Sequence, residues 1–289
     1  MAEARLFLHA GAHRTGTSSF QMCLHRNRKA LAAAGWAMAY PGRDDIPSGK
    51  LALRLPRPKD GVTEAAIAKA RKTLADHCGG RNLILSEENI PGRMMHFMSG
   101  RFYPAAEARC AVLRAAWDRP IAHVLFVVRP YDELFVSGYR KRAEDNAVED
   151  FEALRPHYLS MDRGWPELLA VMRDVLRPET MTVIPYAERG TSAALLARMV
   201  PGLDADALKE PQRVMNLSAT DAALEALQVR YRAGETLNRA AWQEIVGAHK
   251  DDRGPRGFAA FSDAEKRFWS ERYTHDLDVI SKMDGISFG

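Results

Sequence analysis

The sequence predicts an α/β fold with a central parallel sheet flanked by helices on both faces. Three observations carry that expectation. Short apolar runs alternate along the chain with longer segments whose apolar residues recur at three, four and seven positions. The first apolar run, residues 5 to 9, passes through a small, Gly-rich turn straight into such a helical segment. The run Ile121 to Val128 is apolar throughout most of its length, as a strand covered on both faces must be. With 289 residues the chain can bury a substantial core, and no composition shift marks a second unit, so residues 1–289 read as one domain.

The elements follow in order. After the first strand, the small polar residues 10 to 17 form a tight turn, and a helix begins at Thr17 with Phe20, Cys23, Leu24, Leu31 and Ala34 on one face. Trp36 to Tyr40 predicts a strand. Pro41 to Gly61, with four prolines among glycines and charges, predicts a long surface excursion. An alanine-rich helix over Thr63 to His77 stops at Gly79-Gly80, ahead of a strand over Asn82 to Ser86 that ends in Glu87-Glu88. A helix over Pro104 to Trp117 precedes the strand Ile121 to Val128, which ends at Arg129-Pro130. Helices over Tyr131 to Asn146 and Trp165 to Leu176, a strand over Met181 to Pro185 and further helices complete the chain.

Composition removes several classes of function. Hydrophobic residues make up 46% and charged residues 27%, an ordinary globular balance. No apolar run reaches the roughly 20 residues a membrane helix requires, and the N-terminus lacks the pattern of a signal peptide. A soluble, cytoplasmic protein is expected. Cys23, Cys78 and Cys110 have neither disulfide-framework nor zinc-ligand spacing, so they read as reduced core thiols. The 41 basic and 37 acidic residues give a net charge of +4, too mild and dispersed for a nucleic-acid partner.

The chemistry concentrates in the first turn. Gly11-Ala12-His13-Arg14-Thr15-Gly16-Thr17-Ser18 has the G-x-x-x-x-G spacing of a phosphate loop between a strand and a helix. Backbone N–H groups of such a turn converge on one point, and the helix adds its positive end. Thr15, Thr17, Ser18 and Ser19 add hydroxyls. A nucleotide-hydrolysing loop would carry Lys after the second Gly, where this chain has Thr17; the nearest cation is Arg14. The competing reading is that Gly11 and Gly16 only shape the turn.

The run His9 to Gln21 resembles the 5′-phosphosulfate loop of the P-loop sulfotransferases, above all the bacterial type reading His-x-Gly-x-His-Lys-Thr-Gly-Thr-Thr-Ser. The resemblance implies a P-loop NTPase-like sheet and a 3′-phosphoadenosine 5′-phosphosulfate donor, with no metal. Arg14 stands where that family carries the lysine that assists the leaving phosphate. Guanidinium is a planar, permanently charged fork rather than a point charge, yet it can stabilise developing negative charge. Tyrosylprotein sulfotransferases also place an arginine in this loop.

A second anchor follows the strand Ile121 to Val128. Arg129 stands at its end and Ser137 eight residues later in the next helix, a guanidinium and a hydroxyl suited to clamp a phosphate. The pair resembles the family's 3′-phosphate segment. Read alone, Arg129 is a surface charge and Ser137 a helix residue bonding its own backbone. Tyr186, after the strand at Met181 to Pro185, resembles the tyrosine that contacts adenine, although Ala187 interrupts the usual Tyr-Glu pair. Asp251 to Gly257 reads as a solvated loop or a lid over the 3′-phosphate.

Sulfuryl transfer to a hydroxyl or amine needs a general base. Glu87 is the first candidate, Glu88 the second and His13 a third; the alternative for the carboxylates is capping the next turn or pairing with Arg93. Met94-Met95-His96-Phe97-Met98 with Phe102-Tyr103 could line an acceptor pocket or pack as an ordinary loop. The expected function is a sulfotransferase acting on a small-molecule, glycan or peptide acceptor. Two alternatives stand beside it, a nucleotide-binding homologue with impaired catalysis and a P-loop kinase. Oligomeric state is not legible.

Overall fold

The structure, a computed structural model, describes residues 3–42, 46, 49–212 and 219–289. In chain order it contains β1 (Leu6–His9), α1 (Thr17–Ala33), β2 (Ala37–Ala39), α2 (Glu64–Cys78), β3 (Leu83–Ser86), α3 (Ala106–Ala116), β4 (Ile121–Val128) and α4 (Tyr131–Asp145). There follow α5 (Phe151–Leu159), α6 (Trp165–Leu176), β5 (Thr180–Pro185), α7 (Ser192–Met199), α8 (Asp221–Arg232), α9 (Arg239–Ala248), α10 (Asp263–Ser281) and β6 (Ser287–Phe288). The six strands form one all-parallel sheet in the order β2-β3-β1-β4-β5-β6.

Helices cover both faces because the strands are apolar in both registers. Side chains alternate along a strand, so Leu6, Leu8, Leu83, Leu85, Val124 and Phe126 join one core with residues of α2, α3 and α6. Their neighbours Phe7, Ile84, Leu125 and Val127 face the other way, against α1 and α7. The apolar stripe of α1 is the one its periodicity predicts: Phe20, Cys23, Leu24 and Leu31 are buried, while Ala34 is its exposed C-cap.

Helix α2 starts where Thr63 accepts a hydrogen bond from the Ala66 N–H and stops at Gly79, whose φ of 53° suits a residue without Cβ. The excursion from Pro41 to Gly61 departs from expectation. Residues 43–45, 47 and 48 of it lie outside the described residues, but Ile46 and Leu51 are buried. The Leu55 and Pro56 carbonyls accept hydrogen bonds from Arg109 Nη1 at 3.1 and 2.7 Å. This segment therefore closes over α3 instead of running free in solvent. Helix α5, which contains Pro156, and the two-residue β6 carry too little pattern to be legible in advance. Among the described residues no helix is long and apolar enough to cross a membrane.

Two consequences of this topology place the site. All C-terminal strand ends lie on one edge, which brings together the residues after His9, Ser86, Val128 and Pro185. Strand β1 is also where the order reverses, with β3 and β2 on one side and β4, β5 and β6 on the other. In open α/β sheets ligands bind at such a switch point.

Candidate functional site

The turn after β1 has the backbone that its glycines permit. Gly11 has φ 26° and Gly16 φ 90°, and Arg14 between them is left-handed at 64°. Gly16 is the N-cap of α1; no side chain caps this end and no acidic residue stands in its first turn. The helix thus presents its orphan N–H groups and positive end to the turn. A Cβ on Gly11 would lie 2.6 Å from Thr17 Oγ1, and one on Gly16 would lie 2.8 Å from the Arg189 guanidinium. Both positions exclude side chains on grounds of space as well as φ.

The hydroxyls divide. Thr15 Oγ1 donates to the Ala12 carbonyl at 2.6 Å and Thr17 Oγ1 to the same oxygen at 3.4 Å, so both first serve to shape the turn. Thr15, Thr17 and Ser18 are buried, and Ser19 is half-buried. Beneath them His9 stacks on Phe20 with ring centroids 4.0 Å apart and shares a hydrogen bond with Ser86 at 3.0 Å. Burial, aided by the nearby Arg189 charge, pushes the His9 imidazole down to about 3.

The two anchors meet. Arg14 Nε donates to Ser137 Oγ at 2.7 Å, and Arg129 Nη1 donates to the Arg14 carbonyl at 2.7 Å. Residues 115 and 123 positions apart in sequence therefore form one constellation. Burial lowers the Arg14 pKa, Glu144 and Glu88 oppose that, and Arg129 adds to it. Arg129 also pairs with Glu133 and lies over the Tyr186 ring at 4.7 Å, a cation–π contact. Its backbone is held from behind, since Trp165 Nε1 donates to the Arg129 carbonyl at 3.0 Å.

The candidate bases differ in their surroundings. Glu87 is buried, and its Oε1 accepts from the Asn89 N–H and from Asn89 Nδ2, both at 2.8 Å, which is the turn-capping arrangement. Glu88 is half-buried and is the carboxylate of the two that acts on Arg14. His13 is buried, with Nε2 3.2 Å from Asn89 Oδ1. Of the two readings of the segment from Met94 to Tyr103, acceptor lining or ordinary packing, its aromatic residues follow the second. Phe97, Phe102 and Tyr103 are fully buried and pack edge-on or tilted against Phe135 and Trp165, while Met95 is exposed. Their large aromatic area joins a cluster with Tyr131 and Phe135 of α4 and Trp165 of α6.

In the loop from Asp251 to Gly257, Arg256 is bound to Glu225 at 2.9 Å and to Asp252. It borders a cleft of about 640 Å³ with Tyr139, Phe151, Arg155, Arg232 and Phe258. Tyr139 is two residues beyond Ser137 on α4, hence turned about 200° around that helix. The cleft therefore opens on a different side of α4 from the anchors. Its arginines are paired, Arg155 with Glu152 and Glu265 and Arg232 with Asp150.

Sequence reasoning missed three contributors. Gln21 Nε2 donates to the Ser86 carbonyl at 3.3 Å, tying α1 to β3, and Asn89 links Glu87 to His13. Arg189 packs against Gly16, with Nε and Nη2 buried and without a hydrogen-bond partner. The signal for Arg189 was present: it is a cation just past the C-terminal end of a parallel strand. Among the described residues no group of three or more His, Cys, Asp and Glu side chains is arranged to hold a metal ion.

No family model matches the chain, and no curated protein matches it. What the site does is read from its geometry and chemistry alone.

Proposed function

We propose that the chain is a sulfotransferase-type protein with a P-loop NTPase-like sheet, which binds 3′-phosphoadenosine 5′-phosphosulfate at the switch point of β1. The observation that carries this reading is the joining of the Gly-rich loop to the Arg129/Ser137 pair through Arg14. A ligand with phosphates at both ends of a ribose needs two anion sites a short distance apart, and these two motifs meet that demand. The loop N–H groups with Thr17, Ser18 and Ser19 would hold the 5′ end. Arg129 and Ser137 would hold the 3′-phosphate, and Tyr186, lying against Arg129, offers a face to the adenine.

Arg14, the cation within the loop itself, would oppose the negative charge that grows on the departing phosphate oxygen. In the transfer an acceptor oxygen or nitrogen bonds to sulfur, the bond from sulfur to the 5′-phosphate oxygen breaks, and the acceptor proton passes to a carboxylate. Glu88 is better placed for that role than Glu87, whose carboxylate caps a turn. The acceptor is a hydroxyl or amine of a small molecule, glycan or peptide. The three buried free thiols fit a reducing compartment, the cytoplasm. A binding-only role is the second reading, favoured by the engagement of Arg14 with Ser137 in place of a lysine aimed at the loop.

Calorimetry with adenosine 3′,5′-bisphosphate tests the reading without knowledge of the acceptor. Binding is expected, and Arg129→Ala should weaken it about tenfold or more, some 1.4 kcal/mol, while changing adenosine 5′-phosphate affinity much less. No binding by the intact protein, or equal losses for the two ligands, would overturn the assignment. Turnover of the phosphosulfate donor over an acceptor panel separates the transferase from the binding-only reading.

A further inference from the structure

We infer that Arg189 is a ligand of the anion held at the head of α1 and selects for the 5′-phosphate end of the nucleotide. The inference rests on the proposed nucleotide site and adds to it a residue that belongs to neither sequence motif.

Three observations converge on it. Arg189 stands three residues beyond Tyr186, just past β5, so the parallel topology delivers it to the same sheet edge as the loop. Its guanidinium lies against Gly16, the N-cap of α1, so closely that a Cβ there would be 2.8 Å from Arg189 Cζ and Nη2. Arg189 is half-buried as a residue, but its Nε and Nη2 atoms are buried and neither has a hydrogen-bond partner among the described residues. A buried charged donor without an acceptor is costly, and such groups in native proteins call for an ion or ligand to complete them. No acidic residue in the first turn of α1 supplies one.

The neighbouring charges agree. His9, fully buried below the turn, is held neutral, so it neither competes for an anion nor repels the guanidinium. Arg14 and Arg129 stand together with Ser137, and Arg189 lies against Gly16. The loop is therefore flanked by separate cationic groups, with Arg14, Arg129 and Ser137 on one side and Arg189 against the N-cap. An anion on the loop N–H groups would give Arg189 the acceptor it lacks. The close approach also explains the glycine at position 16 beyond its φ: any side chain would push the guanidinium out of the turn.

The test uses Arg189→Gln and Arg189→Lys in the full chain, with affinities for adenosine 5′-phosphate, adenosine 3′-phosphate and the bisphosphate, and the shift in melting temperature caused by inorganic pyrophosphate. Arg189→Gln is expected to weaken both 5′-phosphorylated ligands about tenfold or more, to leave the 3′-phosphate ligand unchanged and to abolish most of the pyrophosphate shift. Arg189→Lys, which keeps the charge without the fork, should fall between. Unchanged affinities and an unchanged pyrophosphate shift, or equal losses for all three nucleosides, overturn the inference. If the intact protein binds no nucleotide but gains stability from pyrophosphate through Arg189, the nucleotide reading fails and the anion site stands. If pyrophosphate gives the intact protein no shift either, both fail.

Discussion

Glu87 and Glu88 show how adjacent identical residues acquire different work. Glu87 uses one carboxylate oxygen to accept from two donors of Asn89, whereas the half-buried Glu88 is the one whose charge acts on Arg14. Glu87→Gln is expected to lower stability by about 1–3 kcal/mol in urea unfolding, through the weakened turn, and to leave nucleotide affinity near its original value. Glu88→Gln should reduce turnover by about 10²–10⁴-fold with little change in unfolding or in bisphosphate affinity. The opposite assignment of the two effects would return the base to Glu87. His9 supplies a pH signature. Its folded pKa, about 3, lies below the model-peptide value of 6.5, so the unfolded chain binds more protons between those values. Its contribution is intact above about pH 6.5 and is lost as pH falls towards 3, with a slope of up to about 1.4 kcal/mol per pH unit. His9→Gln should flatten that slope in denaturation curves collected from pH 7 to 4; an unchanged slope would assign the acid sensitivity to other groups.

The loop and the helix behind it act as one element. Gly16 combines a φ of 90° with contact to Arg189, so Gly16→Ala meets backbone strain and a displaced guanidinium together. Melting should fall by several degrees, consistent with about 1–2 kcal/mol of left-handed strain. Bisphosphate affinity should fall more steeply than that, because the N–H groups of α1 lose their alignment. A variant that melts lower but binds normally would make Gly16 a structural glycine only. This element was legible because its signals are local: two glycines at fixed spacing and an apolar stripe starting at Thr17. The excursion after β2 was not, because the Arg109 that donates to its carbonyls lies more than 50 residues further on.

At the scale of the whole molecule, the position of Arg129 depends on helices far along the chain. The Tyr131 hydroxyl donates to Asp276 of α10 and accepts from the Trp165 N–H of α6 at 2.6 Å. Trp165 in turn holds the Arg129 carbonyl, and Tyr273 Oη donates to the Val128 carbonyl at 3.3 Å. Tyr131→Phe leaves a buried carboxylate and a buried N–H each short of a partner. It should cost about 2–4 kcal/mol in urea unfolding, with a smaller loss of bisphosphate affinity as Arg129 loses its backing. Unaltered unfolding would show that water replaces the hydroxyl at both partners.

The sequence by itself determined the parallel α/β class, the strands β1, β3, β4 and β5 to within a residue or two, and the two motifs that we propose bind anions. Those are properties of short segments, set by apolar periodicity, glycine conformation and the side chains between them. Only the tertiary structure decided that the two motifs touch. It alone joined Arg14 to Ser137 and Arg129, gave Glu87 and Glu88 different partners, buried Phe97, Phe102 and Tyr103 and brought Arg189 against Gly16. Each of these depends on which strand ends become neighbours, and strand order is fixed by the packing of both helix layers over the whole sheet.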